Sequence, residues 1–203
     1  MVRSINAKPT AYKGINFRSR LEARWAAMFD LLGWAWEYEP ECGGAYIPDF
    51  LLHGHGADAS KVYVEVKPEA IYQSERGSVI RKARSALGPF CDILVLVDGL
   101  FQVEAGDACI GYMPPSDSVE ERVFRGNDPY TQVELDMGDE HACLIKVIGL
   151  PGSPYDFRHE WGFWKGRLSG FYDGNAGFMD VSMKDALALW SRAGNAVQWK
   201  PDK

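Results

Sequence analysis

The feature that most constrains the fold is a short segment, residues 61–67, in which apolar and polar side chains alternate. Valines occupy the even positions, whereas Glu65 and Lys67 stand at odd ones. Successive side chains of a strand point to opposite faces, so the pattern predicts a strand whose valine face lies in the core. Glu65 and Lys67 then share the other face, with about 6.5–7 Å between their Cα atoms. Such a polar face is also the ordinary solvated side of a half-buried strand, and this alternative stays open here.

A second apolar run, residues 47–52, contains the acidic residue Asp49 directly after Pro48. A charged side chain within such a run is costly unless it is paired or bound to a metal ion. Proline removes a donor from the strand ladder, so Pro48 favours the start or the edge of a strand. The two segments therefore predict neighbouring strands that carry Asp49, Glu65 and Lys67.

An amphipathic helix is predicted over residues 17–32, because large apolar side chains recur there at helical spacing. Glu22 falls at the margin of the apolar stripe, and we expect it to be half-buried. Two interpretations of Glu22 remain open. It is either a functional acid or a helix glutamate paired with Arg18 or Arg24 at the surface.

These segments together resemble a known protein family. They read Phe-Arg-Ser-Arg-Leu-Glu-Ala-Arg-Trp at residues 17–25, Trp-Glu-Tyr-Glu-Pro-Glu at 36–41, Tyr-Ile-Pro-Asp-Phe at 46–50 and Val-Glu-Val-Lys at 64–67. In this order and spacing they resemble the PD-(D/E)xK nuclease superfamily, especially the small nuclease-like proteins of phages and mobile elements. The likeness covers about residues 12–98, less than half of the chain.

The resemblance implies an α/β fold: a restriction-endonuclease-like core with a mixed central sheet flanked by helices, and a β-rich C-terminal elaboration. It implies a DNA endonuclease that hydrolyses phosphodiester bonds with Mg²⁺, for which Mn²⁺ would substitute. Asp49 and Glu65 would hold the metal, with the Val66 carbonyl as a third ligand, and Glu22 would bind a second ion or orient metal-bound water. Lys67 would help to deprotonate the attacking water or stabilise charge on the phosphate.

The chain of 203 residues is expected to form a single domain. Its elements are predicted from periodicity, turn residues and helix caps. They are a polar arm at 1–13, helices at about 17–32, 75–87 and 180–192 (the last capped by Ser182), core strands near 35–39, 46–52, 61–67 and 92–97, and further strands at 101–113 and 131–148 within an elaboration at 99–179.

Net charge is −6, which argues against broad non-specific affinity for nucleic acid. The charge is uneven, because residues 1–90 carry a net +2 and residues 91–203 a net −8. Two basic clusters are candidates for contacts with backbone phosphates, and solvated helix faces are an equal alternative. The first comprises Lys8, Lys13, Arg18, Arg20 and Arg24, and the second, on the predicted helix 75–87, comprises Arg76, Arg81, Lys82 and Arg84. The residues predicted to bind nucleic acid are Lys13, Arg18, Arg20, Arg81, Lys82 and Arg84.

Other sites and compartments are less favoured by the sequence. The four cysteines lack Cys-x-x-Cys spacing, which indicates reduced thiols and not a zinc site. His53 and His55 flank a glycine in a loop, where solvated histidines are more common than metal ligands. No apolar run approaches 18 residues and no signal peptide is recognised, so we expect a soluble, cytoplasmic protein without a membrane partner.

An aromatic cluster in the C-terminal half is a candidate for stacking unpaired bases. The sequence favours a small core under loops, or a surface for a protein partner, over base stacking. The cluster comprises Trp161, Phe163, Trp164, Phe171 and Tyr172.

A function from another class stays open, namely a nuclease-fold protein that binds nucleic acid or a host protein without cutting. Intact Asp49, Glu65 and Lys67 count against it, and the acidic second half counts for it. The sequence leaves DNA and RNA, branched and linear substrates, and endo- and exonuclease action as alternatives. A homodimer and a phage or host protein are the further candidate partners.

Overall fold

A computed structural model describes residues 7–42, 46–54, 61–88, 92–103, 106–114, 140–148, 154–159, 166–171 and 177–198. Its elements in chain order are β1 (Thr10–Tyr12), β2 (Ile15–Phe17), α1 (Arg20–Leu32), β3 (Ala35–Tyr38), β4 (Phe50–His53), β5 (Lys61–Val66), α2 (Glu69–Leu87), β6 (Asp92–Gln102), β7 (Ala108–Met113), β8 (Glu140–Ile148), β9 (Tyr155–His159), β10 (Gly177–Asp180) and α3 (Met183–Ala196).

Eight of the described strands form one mixed sheet, in the order β10-β8-β7-β6-β5-β4-β3, with β9 paired to β8. The pair β4 and β5 is antiparallel, as a hairpin requires, and β5 and β6 are parallel. Parallel neighbours need a crossover connection, which α2 supplies. The predicted mixed sheet flanked by helices is therefore confirmed, and the strands of the C-terminal elaboration continue this sheet beyond β6.

Both faces of the sheet are covered by helices, and alternate residues of β6 serve the two sides. Leu94 and Leu96 pack in a cluster with α1 and α3, whereas Ile93 and Val95 pack in a second cluster with α2. The three valines of β5 are buried on the α1 side, as their alternation predicts. Glu65 consequently points toward the face on which α2 lies.

Helix α1 begins at Arg20, three residues later than predicted. Phe17 belongs to β2 instead, and Ser19 caps the helix by accepting a hydrogen bond from the amide of Glu22 at 3.1 Å. Trp25, fully buried on the apolar face, donates from its indole nitrogen to the Val97 carbonyl at 2.9 Å. That bond anchors the helix to the centre of the sheet.

The predicted polar arm at 1–13 is wrong in part, because its last residues form β1. This strand pairs with β2 across a two-residue turn at Lys13 and Gly14, whose φ angles are 48° and 81°. Two successive positive φ angles are typical of a type I′ hairpin turn. Residues 1–6 lie outside the described part of the chain.

The single strand predicted at 101–113 is also wrong, because it is the end of β6 and the whole of β7. A turn separates them, and Gly106 adopts a φ of 92° there while its amide donates to the Val103 carbonyl at 2.9 Å. Apolar residues on both sides of the turn disguised the break. Of the strand predicted at 131–148, residues 131–139 lie outside the described part.

The helices differ from expectation mainly at their starts. Helix α2 begins at Glu69, six residues earlier than predicted, directly after Pro68. Helix α3 begins at Met183, three residues later than predicted, and ends at Ala196, four residues later than predicted. The predicted cap is present, since the Ser182 side chain accepts from the Asp185 amide at 3.2 Å. None of the described helices combines the length and apolarity that crossing a membrane requires.

Gly111 in β7 lies against the backbone of β6, and this close approach yields a prediction for stability. A Cβ atom at this position would stand 2.1 Å from the Val95 carbonyl oxygen, so the backbone would have to move. We expect Gly111→Ala to lower the free energy of unfolding by about 1–3 kcal/mol or more. Thermal or denaturant unfolding measures the change.

Gly99 in β6 is a matched control for Gly111, because a Cβ atom there meets no heavy atom within 4 Å. Gly99→Ala should leave the unfolding free energy nearly unchanged. Equal destabilisation by the two substitutions would show that the close approach of Gly111 to the Val95 carbonyl does not affect the free energy of unfolding.

Candidate active site

The start of β4 and the end of β5 lie side by side and bring together residues that are distant in sequence. Their antiparallel register pairs Phe50 with Val64. Asp49 and Glu65, the next residues outward, therefore stand across from one another. The first turn of α1 reaches the same end of the sheet, and α2 begins there two residues after Lys67.

Asp49 is 3 % exposed, and both of its carboxylate oxygens are bonded. Oδ2 accepts a hydrogen bond from the Val66 amide at 2.7 Å, and Oδ1 contacts the Arg18 guanidinium. Burial, and after it the charge of Glu65, raise the pKa of Asp49 to about 7. Two carboxylates so placed repel each other, and a cation between them would relieve that repulsion.

Glu65 is also buried, and its two oxygens have different partners. Oε1 pairs with Lys67 Nζ at 2.7 Å, and Oε2 accepts from the Tyr46 hydroxyl at 2.6 Å. Burial opposes the charged form of Lys67, but the Glu65 carboxylate outweighs burial, so the pKa of Lys67 is raised. Burial and then Glu65 also raise the pKa of Tyr46 far above its usual range, so its hydroxyl remains a donor.

Glu22 is buried at 7 % exposure, more deeply than the expected half-burial. It accepts hydrogen bonds from the Tyr38 hydroxyl at 2.7 Å and from Ser19 Oγ at 2.8 Å. Arg18 lies 3.9 Å away, a weak contact, and the charge of Glu22 contributes to the raised pKa of Asp49. Glu22 is therefore not a surface residue, although its expected pairing with Arg18 is present as this weak contact.

The charges at this end of the sheet do not balance. Four carboxylates contact two cations, which leaves two negative charges among the described contacts when all four acids are ionised. The acids are Glu22, Glu39, Asp49 and Glu65, and the cations are Arg18 and Lys67. One divalent cation would neutralise this excess.

The donor set fits such a cation, because hard divalent ions prefer carboxylate and carbonyl oxygen ligands. Within the described ranges no three His, Cys, Asp or Glu side chains converge as a ready metal cluster. Arg18 and Lys67 occupy oxygen atoms of Asp49 and Glu65 that a cation would use. The main chain of Val66 takes part through its amide, and its carbonyl remains the predicted third ligand.

His53, an alternative metal ligand in the sequence, lies at the other end of β4 from Asp49. Its imidazole stands 3.8 Å from the Glu37 carboxylate, on the exposed side of the sheet edge. His55 falls outside the described residues. The structure therefore does not bring His53 to the acids.

The basic residues of the first cluster have different partners. Lys13 pairs with Asp30 at 2.9 Å, and Arg18 is directed at the acids of the site. Arg24, 3.7 Å over the ring of Trp190, binds the carbonyl of that residue and joins α1 to α3. Arg20 is exposed and is a candidate for a phosphate contact without rearrangement.

The second basic cluster lies along α2, which begins beside the site and runs away from it. Arg81 is twelve residues beyond Glu69, about 18 Å along the helix axis. Arg81 and Lys82 are exposed, but Arg84 is half-buried and donates to the Pro114 carbonyl at 3.4 Å. The separation of Glu69 and Arg81 along the helix axis, about 18 Å, equals the length of about five base pairs of duplex at about 3.4 Å per base pair.

Sequence reasoning missed three residues that shape the site: Tyr46, Tyr38 and Glu39. Tyr38 aligns with Phe50 across β3 and β4 and therefore shares the face on which α1 packs, where its hydroxyl reaches Glu22. Glu39 has a φ of 48°, and this bend lets its amide donate to the Asp49 carbonyl at 3.0 Å. Non-glycine residues adopt such angles rarely, and nothing in the local sequence predicts one here.

The aromatic cluster of the C-terminal half is represented in the structure by Phe171 alone. Its other members, Trp161, Phe163, Trp164 and Tyr172, lie outside the described residues. Comparison of the chain with protein-family models, curated proteins and solved structures finds no match. The motifs and the geometry of their side chains are therefore the features that bear on function.

Proposed function

We propose that this protein is a divalent-metal-dependent DNA endonuclease with a PD-(D/E)xK site on a restriction-endonuclease-like core. One observation carries the proposal: two buried carboxylates, Asp49 and Glu65, face each other at adjoining strand ends beside a lysine. Lys67 Nζ lies 2.7 Å from Glu65, and burial, followed by the charge of Glu65, raises the pKa of Asp49 to about 7. Metal-dependent phosphodiesterases need such charges at one point.

The order of elements around the acids supports the same proposal. Glu22 lies on α1, Asp49 immediately precedes β4, and Glu65 and Lys67 stand at the end of β5, after which α2 crosses to the parallel β6. This is the helix-strand-strand-strand-helix-strand order that the resemblance implies. The valine face of β5 provides the rigid support that a site on a strand needs.

The residues around the acids hold them in place. The Val66 amide orients Asp49, the Tyr46 hydroxyl orients Glu65, and Tyr38 with Ser19 orients Glu22. When bound, a divalent cation supplies electrostatic stabilisation of the phosphoryl oxygens and activates a water molecule. In this arrangement Asp49 and Glu65 would be its ligands, with the Val66 carbonyl, and Glu22 would serve a second ion or water.

Lys67 has two candidate roles, and its environment supports one of them. Its pKa is raised by Glu65, so the side chain is an ammonium near neutral pH. An ammonium donates hydrogen bonds and attracts anions, but it does not accept a proton from water. We therefore assign Lys67 to the stabilisation of negative charge that grows on the phosphate during attack.

A non-cutting nucleic-acid-binding protein is the second candidate, and one specific observation favours it. Each central acid is already paired with a cation of the chain itself, Asp49 with Arg18 and Glu65 with Lys67. Such pairs are self-sufficient in a protein that only binds. The net −8 of residues 91–203 fits a protein partner for that form of function.

A cleavage assay separates the two candidates. Purified protein is incubated with Mg²⁺ or Mn²⁺ and with supercoiled, linear, single-stranded and four-way-junction DNA, and with single-stranded RNA. Metal-dependent nicking of closed supercoiled DNA indicates endonuclease action. Binding of these substrates without cleavage under any of the conditions would favour the second candidate.

The exposed pair Arg81 and Lys82 gives a prediction about nucleic-acid binding. If both contact phosphates, replacing both by glutamine should weaken binding to all sequences equally, because phosphate contacts carry no base information. The slope of log K against log salt should flatten by about 0.9 for each lost contact. Fluorescence anisotropy over a salt series measures both effects.

Lys184 and Arg192 provide a matched control for that pair. They are one lysine and one arginine, both exposed, on α3, which packs on the opposite face of the sheet from α2. Their double glutamine variant should bind nucleic acid like the wild type. If this control loses affinity and the α2 variant does not, the phosphates run along the α3 face.

A further inference from the structure

Arg18 is the cation that contacts most of the acids in the candidate site. Its guanidinium Nη2 contacts Asp49 Oδ1, and its Nε lies 2.9 Å from Glu39 and 3.9 Å from Glu22. Its position in the first basic cluster predicts a contact with a backbone phosphate. The structure instead turns it inward onto carboxylates, so its role needs a separate explanation.

The contact with Asp49 blocks the oxygen that a metal would need. Oδ2 of Asp49 is held by the Val66 amide at 2.7 Å, and Oδ1 is the oxygen that Arg18 contacts. The Val66 bond is part of the backbone framework between β4 and β5 and is buried. A cation that binds Asp49 through Oδ1 would therefore take the place of Arg18, whereas the Val66 bond to Oδ2 would remain.

The side chain of Arg18 can move away from the acids while its main chain stays in place. Its side chain is 57 % exposed, whereas those of Asp49 and Glu22 are 5 % and 9 % exposed. Its backbone amide donates to the Tyr38 hydroxyl at 3.1 Å, and the next residue, Ser19, caps α1. Rotation of the guanidinium into solvent consequently disturbs neither the strand ends nor the start of the helix.

We infer that Arg18 is an exchangeable counter-ion, which neutralises Asp49 in the metal-free protein and moves to a phosphate of the nucleic acid once a divalent cation binds Asp49. The inference rests on the proposed function and assigns a role to a residue of the same site. A guanidinium suits both positions, because its fork of N–H donors binds carboxylates and phosphates alike.

The exchange makes two predictions with opposite signs for Arg18→Gln. Without nucleic acid, the variant should bind Mn²⁺ more tightly than the wild type, because no guanidinium competes for Asp49. The expected gain is about 5–150-fold, the usual range of coupling between two ligands. With nucleic acid and Mn²⁺, affinity should fall and the salt slope should flatten by about 0.9, the loss of one phosphate contact.

Titration calorimetry with Mn²⁺ alone measures the change in metal affinity. Fluorescence anisotropy with a short DNA duplex and Mn²⁺ measures the change in DNA affinity, and all proteins in that experiment also carry Lys67→Ala so that the duplex is not cleaved. Arg20→Gln is the control for the Mn²⁺ titration alone, since Arg20 is an exposed arginine two residues away, and its loss should affect Mn²⁺ affinity only as a screened surface charge. If Arg18→Gln does not fold, Arg18→Lys replaces it. A lysine cannot span Asp49 and Glu39 as the fork does, so its Mn²⁺ affinity should also exceed that of the wild type.

The outcomes separate this inference from the function on which it rests. Equal Mn²⁺ affinity in the wild type and the Arg18 variants overturns the exchange and leaves the metal site in place. Tighter Mn²⁺ binding with an unchanged salt slope overturns the transfer to phosphate. Absence of Mn²⁺ binding in every variant overturns the metal site and the exchange together.

Discussion

Replacement of Lys67 by alanine is expected to slow DNA cleavage by about 10²–10⁴-fold, the usual cost of removing a positioned acid–base or charged group. Metal binding should persist, because the proposed ligands Asp49, Glu65 and Val66 all remain. Substrate affinity should change little, since one contact among many phosphate contacts is lost. Single-turnover cleavage measures the rate, and calorimetry with Mn²⁺ measures the metal.

Two further variants make the Lys67 experiment specific. Lys61→Ala removes an exposed lysine from the first residue of the same strand and should cleave like the wild type. Lys67→Arg keeps a positive charge, because a guanidinium does not lose its proton near neutral pH. Partial activity of this variant would therefore support charge stabilisation over proton transfer. Cleavage by Lys67→Ala at the wild-type rate would refute any catalytic role for this lysine.

Replacement of Asp49 by asparagine is expected to remove the stabilisation that a divalent metal confers. At a metal concentration of 100 Kd, binding to the folded state alone is worth about 2.7 kcal/mol, a shift of about 5–11 °C in Tm for a chain of this size. The variant should show almost none of this shift and no cleavage. Asparagine keeps the size of the side chain and an oxygen acceptor for the Val66 amide, so the fold should persist.

Asp92→Asn is the matched control for Asp49. Asp92 pairs with Val62 at the opposite end of the sheet, where its carboxylate stands 3.7 Å from Arg167. The control should keep the full metal-induced shift in melting temperature. Equal shifts in the wild type, Asp92→Asn and Asp49→Asn would locate the metal elsewhere, and the proposed mechanism would fail.

The two variants differ in a way that a merely destabilised protein would not reproduce. Lys67→Ala should bind metal and fail to cut, whereas Asp49→Asn should fail at both. Circular dichroism and melting temperature without metal provide the check on folding. If both variants are less stable than the wild type without metal, their effects on cleavage would be explained by a damaged fold.

Local patterns were sufficient to predict several elements and the central residues of the site. The alternation in β5, the helical period of α1 and the Ser182 cap of α3 are all readable from neighbouring residues, because side-chain direction and capping are local properties. Asp49 was predicted as a site residue because a charge within an apolar run is costly without a partner. Glu65 and Lys67 followed from their shared strand face.

Tertiary pairing decided what the local patterns missed. Phe17 fits the periodicity of a helix, but its pairing with Thr10 in the β1–β2 hairpin places it in a strand. The strand predicted at 101–113 hid a turn, because apolar residues before it, such as Phe101, and after it, such as Ala108 and Ile110, belong to strands of the same sheet. The ends of helices and strands depend on which group forms a hydrogen bond with each backbone N–H and C=O. In a sheet that partner is often distant in sequence.

In the candidate site, too, some features are predicted by the sequence and others are decided only by the tertiary structure. Residue types and spacing in the sequence identified Asp49, Glu65 and Lys67, because the chemistry of a metal-dependent phosphodiesterase demands these charges. Only the tertiary structure decided the partners of these residues: Arg18 is 31 positions from Asp49, and Tyr46 is 19 positions from Glu65. Hydrogen bonds over such separations depend on the register of β3, β4 and β5 and on the bend at Glu39, neither of which a local pattern encodes.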